Sequence, residues 1–88
     1  MKLHGEFVVR QLLDSVIAVP TGETALHLNG MVVLNEVSRV IWTCLEQETT
    51  LSDIVAAVTD TFEVDAAEAE ADVLAFIDRL REAQLLEE

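Results

Sequence analysis

The stretch Gly30-Met31-Val32-Val33-Leu34-Asn35-Glu36-Val37-Ser38-Arg39-Val40-Ile41-Trp42-Thr43-Cys44-Leu45 decides the fold. Up to Leu34 it is a continuous apolar run, β-branched at Val32 and Val33, which suits a strand. Beyond Asn35 the apolar residues are Val37, Val40, Ile41, Cys44 and Leu45, spaced to share one face of a helix. Asn35 stands at the change of period, where a helix needs a side-chain acceptor for its free N–H groups. Glu36 adds a negative charge in the first turn, where the helix dipole favours it. The chain before this junction reads as sheet, and the chain after it as helix.

Toward the N-terminus, Phe7 to Leu13 is a β-rich first strand and Asp14-Ser15 a turn. Val16 to Val19 is a second strand, stopped by Pro20-Thr21-Gly22. Two strands joined by so short a turn form an antiparallel hairpin. Glu23 to Leu28 fits either an alternating strand or one helical turn, and residues 21–30 are read as a loop with a short turn, closed by a tight turn at Asn29-Gly30. The third strand is Met31 to Leu34.

Toward the C-terminus, the first helix runs from about Glu36 to Gln47. Thr50-Leu51-Ser52-Asp53 caps the second, whose apolar positions are Leu51, Ile54, Val55, Val58 and Phe62. Asp65-Ala66-Ala67-Glu68 opens the third in the same way. Its apolar face is Ala69, Val73, Phe76, Ile77 and Leu80, widened by a second line of Ala67, Ala71, Leu74 and Ala75. Leu85-Leu86 folds back on the core, and Glu87-Glu88 frays. The strand connections are too short for parallel crossovers. The fold class is therefore α+β: a three-stranded antiparallel sheet followed by three helices (β-β-β-α-α-α), with helices arranged as in a winged helix-turn-helix.

The 88 residues make one domain, 1–88, and a hydrophobic fraction of 51% supplies its core. Seventeen acidic residues against five basic ones give a net charge of −12, which repels nucleic acid and anionic membranes. No signal peptide and no apolar run of membrane-spanning length is visible, so a cytoplasmic location is expected.

No catalytic residue, metal ligand or cofactor is expected. The single Cys44 excludes an internal disulfide and falls on the buried face of its helix. His4 and His27 are not at metal-ligand spacing. Asp14-Ser15-Val16 resembles the attachment site of a carrier protein, but that serine must start a helix, and Ser15 lies between two β-rich segments. Trp42 lies off the main stripe of its helix; packing against the sheet is the commoner fate of a lone tryptophan, and an exposed anchor is the alternative. The acidic residues Glu68, Glu70, Asp72 and Asp78 form a solvated face or a docking surface for a basic peptide.

Two features point to binding. The third strand lies at a sheet edge with unpaired N–H and C=O groups. The third helix is apolar over more of its surface than a core helix needs. Side by side they form a groove into which an extended peptide adds as a strand.

The run Gly30 to Glu36, followed by Ile41-Trp42 and Leu45, resembles the strand-to-helix signature of PqqD-like proteins. The segment from Thr50 to Leu86 is similar to the same family: a capped helix ending near Phe62-Glu63-Val64-Asp65, an acidic helix with Asp72-Val73, Phe76 and Leu80, then Leu85-Leu86. These are leader-recognition domains for ribosomally made, post-translationally modified peptides. The resemblance implies a non-catalytic peptide chaperone whose partners are a precursor leader peptide and a peptide-modifying enzyme, often a radical SAM enzyme. Carried onto this chain, it puts the peptide against Gly30, Met31, Val32, Val33 and Leu34 of the third strand. Facing them on the third helix are Val73, Leu74, Ile77 and Arg81. Glu70 and Asp78 would rim the groove and suit a leader with basic residues. Gln84 departs from the family, which commonly has Gly before the final Leu-Leu. Two other readings share the layout: a winged-helix nucleic-acid binder, opposed by the charge and by the absence of Lys and Arg from the second helix, and an interaction module that forms a homodimer through the strand edge.

Overall fold

The computed structural model describes residues 1–28 and 30–88. Its elements, in chain order, are β1 (Lys2–Leu3), β2 (Phe7–Leu12), β3 (Ser15–Pro20), α1 (Gly22–His27), β4 (Val32–Leu34), α2 (Glu36–Leu45), α3 (Leu51–Thr61), α4 (Ala66–Glu82) and β5 (Leu86–Glu87). The expected three-stranded antiparallel sheet is present in the order β2-β3-β4, and the three longer helices follow it.

Register fixes which side chains face inward. Val9 lies opposite Ala18, and Ala18 opposite Val32. Directly opposed residues share a face, so these three line the core side of the sheet. Arg10, Ile17 and Val33 form the corresponding row on the other face. The core joins Ala18 and Leu34 of the sheet to Ile41, Trp42 and Leu45 of α2, Ile54 and Val58 of α3, and Ala69, Val73, Phe76, Ile77 and Leu80 of α4. Trp42, 2% exposed, locks α2 against the sheet: its ring meets Phe7 of β2 edge-to-face at 5.0 Å between centroids.

Each of the three longer helices begins at the expected cap. Asn35 Oδ1 accepts from the Ser38 N–H and Ser38 Oγ accepts from the Asn35 N–H, both at 2.8 Å. The reciprocal pair satisfies two backbone donors at the point where strand becomes helix. Thr50 Oγ1 accepts from the Asp53 N–H at 3.1 Å, and Asp65 Oδ1 from the Glu68 N–H at 2.8 Å.

Four local expectations are corrected. The hairpin turn is Leu13-Asp14, one residue earlier than expected, because Leu12 pairs with Ser15. Leu13 takes the left-handed backbone such a turn needs, with φ 56. Residues 22–27 form the helix α1 instead of a loop; the Thr24 hydroxyl accepts from the Glu6 N–H at 2.8 Å and ties it to the chain before β2. The first long helix stops at Leu45, short of Gln47. Glu87 does not fray, because β5 pairs antiparallel with β1, Lys2 opposite Glu87 and Leu3 opposite Leu86. Glu88 is held by Arg81 in a forked ion pair, with Nη2 at 2.8 Å and Nε at 3.0 Å from its carboxylate oxygens. Of the turn expected at Asn29-Gly30, Gly30 has the left-handed φ of 95 that glycine accommodates; Asn29 lies outside the described residues.

Gln84 also has a left-handed backbone, with φ 61. The Leu85 N–H reaches back to the Leu80 carbonyl at 2.9 Å and the Gln84 N–H to that of Arg81 at 2.9 Å. This is the paired closure of a Schellman motif, in which glycine usually fills the left-handed position. It turns the chain so that Leu85 enters the core, as expected for Leu85-Leu86.

Candidate functional site

The strand-to-helix junction sets the site. Asn35 alone separates β4 from α2, and Val33 of β4 shares a pocket with Val37, Ser38 and Ile41 of the first two turns of α2. Among the described residues β4 pairs with β3 alone, and its outer backbone edge has no strand partner there. Across from that edge runs α4. Between them is a groove of ≈ 250 Å³. Val33 forms one wall, Val37, Ser38 and Ile41 of α2 the floor, and Asp72, Ala75, Phe76 and Arg79 of α4 the other wall.

The chemistry of the groove is apolar below and polar at the rim. Ile41 and Phe76 are buried in its base, and Val33 stands 59% exposed beside it. Ala75 carries only a methyl group, so the α4 wall is open where a partner side chain would enter. The Arg79 guanidinium lies over the Phe76 ring, 5.7 Å from its centroid. Asp72 occupies the same wall two turns earlier. Backbone groups on one side and an apolar slot on the other are what an extended peptide needs for affinity and for choice of side chain.

The residues expected at the site divide. Val33 lines the groove. Val32 is half-buried on the core side of the sheet, while Gly30 and Met31 are exposed just before β4. Leu34 is 3% exposed and its side chain belongs to the core. Val73 and Ile77 are 0% exposed and pack inward, so neither side chain is offered to a ligand. Leu74 is at the surface but not among the groove-lining residues, and Arg81 is occupied by Asp78 and Glu88. The division has a simple geometric cause. The stripe Ala69-Val73-Phe76-Ile77-Leu80 points at the core, and successive helix positions turn by about 100°. The groove is therefore served by the neighbouring stripe Asp72, Ala75, Phe76 and Arg79, whose spacing of i, i+3, i+4, i+7 is visible in the sequence. The expected rim also moves. Glu70 lies beside Leu51, Ser52 and Val55, and Asp78 binds Arg81 at 3.1 Å, leaving Asp72 as the acidic group on the groove. The contribution of α2 was carried by Val37 and Ile41, already recognisable as its apolar face.

The hydrogen bond from Arg81, reinforced by the guanidinium charge, lowers the Glu88 carboxyl below its usual range, and the same hydrogen bond raises the Arg81 guanidinium. Burial, and next the charge of Asp53, push the Cys44 thiol up, which keeps it protonated and poorly nucleophilic. Among the described residues no cluster of His, Cys, Asp and Glu could hold a metal ion, and no helix is long and apolar enough to cross a membrane.

The whole architecture is similar to a solved structure, TbiB1 in complex with the TbiA(beta) leader peptide, with a TM-score of 0.74 and 26% identity over 99% of this chain and 95% of that one. No curated protein sequence matches the chain. Residues 23–86, which span β4, the groove and all three long helices, match the family described as coenzyme PQQ synthesis protein D, and the chain belongs to that PqqD family.

Proposed function

We propose that this protein is a non-catalytic carrier of a ribosomally made precursor peptide. It binds the leader segment by strand addition to the free edge of β4, in the groove against α4, and presents the peptide to a modifying enzyme, with a radical SAM enzyme as the expected class. The observation that carries this reading is the groove itself: an unpaired strand edge facing an apolar slot on a neighbouring helix. The similar TbiB1 structure holds a leader peptide, which supports the same ligand class here. The net charge of −12, and an α3 without Lys or Arg, favour a peptide over nucleic acid.

The test is titration of the full chain with the leader of a precursor encoded beside its gene, followed by backbone amide shifts. Shifts should concentrate at Val32, Val33 and the Asp72–Arg79 stretch of α4. Shifts that spare both would overturn the groove. Strand addition is tested by Val32→Pro and Val33→Pro, because consecutive residues of a strand turn their N–H groups to opposite edges. One variant breaks the β3 ladder. The other keeps the fold and loses a donor to the peptide, which should weaken binding about fivefold relative to alanine at the same position.

A further inference from the structure

Five basic residues serve the whole chain, and α4 carries two of them, Arg79 and Arg81. Their circumstances differ. Arg81 is satisfied by Asp78 and Glu88. Arg79 has no carboxylate within ion-pair distance among the described residues, although the chain has seventeen acidic side chains. Instead it is stacked on Phe76, at the rim of the groove. Stacking on an aromatic face restricts the long side chain and leaves its N–H fork free to donate. An oriented, unpaired guanidinium at the mouth of an apolar slot is suited to a carboxylate arriving on a ligand.

We infer that Arg79 selects the peptide: the bound strand carries an Asp or Glu side chain against Arg79, two residues from an apolar side chain seated over Ala75. The spacing follows from the two elements. Ala75 and Arg79 are one helical turn apart, about 6 Å along α4. Same-face residues of an extended strand are about 6.6 Å apart, two positions along. An apolar anchor and an acidic residue separated by one position therefore match the wall. This assignment rests on the groove being the peptide site. It also reverses the charge expected of the ligand from the net acidity of the chain, because the local partner is a cation.

The experiment is selection of a displayed library of random linear peptides on the full chain and on Arg79→Glu, followed by affinity measurements on one selected peptide. The wild-type chain should enrich an acidic residue two positions from an apolar one. Arg79→Glu should enrich Lys or Arg at that same position. Exchanging the acidic residue of the selected peptide for Lys should weaken binding to the wild type about threefold to fivefold at low salt, with less effect at high salt, and restore it with Arg79→Glu. Recovery of apolar peptides with no charge preference, or of the same peptides by both proteins, would overturn the role of Arg79 while leaving the groove in place. If Ala75→Leu and the fold-preserving β4 proline variant select as well as the wild type does, or no peptide is selected at all, the groove reading fails and this inference fails with it.

Discussion

Gln84 is the clearest case of a residue whose identity conflicts with its backbone. A left-handed conformation costs a non-glycine L-residue about 1–2 kcal/mol. The Schellman closure and the burial of Leu85 hold it there. Gln84→Gly should therefore stabilise the protein by about 1 kcal/mol, raising the melting temperature by roughly 4–8 °C, while Gln84→Ala should give no such gain. Paired thermal melts decide between them. Leu13 is in the same position at the hairpin turn, and there too a side chain occupies backbone that glycine or asparagine would fill more cheaply. These two residues explain much of what was hidden in the sequence. Turn chemistry is legible when Gly or Asn marks it. A leucine at φ 56 carries no such mark, so the turn is read one residue late. The caps were legible for the opposite reason: Asn35, Thr50 and Asp65 each have the side chain that the backbone requires.

At the scale of elements, the helices were legible and their neighbours only in part. Period and caps located α2, α3 and α4, and the apolar stripe of α4 correctly named its core contacts. The same stripe does not name the groove wall, because a side chain spent on the core does not face the groove. Val73 and Ile77 are buried in this way, and Asp72, Ala75 and Arg79 line the groove. The strand side was easier, since an edge strand offers backbone whatever its sequence. Elements of two residues, such as β1 and β5, leave no periodic trace, and α1 is too short for its pattern to outweigh a strand or a turn. The groove makes a direct demand on α4. Ala75 is exposed, so Ala75→Leu should leave the folding stability within about 0.5 kcal/mol of the parent. It should nonetheless fill the slot and weaken leader binding by roughly tenfold, a loss of about 1.4 kcal/mol. Calorimetry of folding and of binding on one sample separates the two effects.

At the scale of the molecule, the open edge of β4 and a strong negative charge work together. An exposed β edge invites self-pairing, and a short strand with like-charged neighbours resists it. β4 has three residues, and each copy carries a charge of −12, so both features oppose edge-to-edge pairing of two copies. The fold also has an order of assembly written into it. The helices and the β2-β3 hairpin join residues close in sequence, whereas β1 and β5 join residues from opposite ends of the chain. That clasp closes a loop of nearly the full length, whose entropy is recovered only once the rest of the core has formed. It should be absent from the folding transition state. Leu3→Ala, at a half-buried position of β1, should then accelerate unfolding several-fold and leave the refolding rate almost unchanged in stopped-flow measurements. The two-residue ribbon thus acts as a latch on lifetime: it does little to help the chain find its fold, and governs how long the fold persists once found.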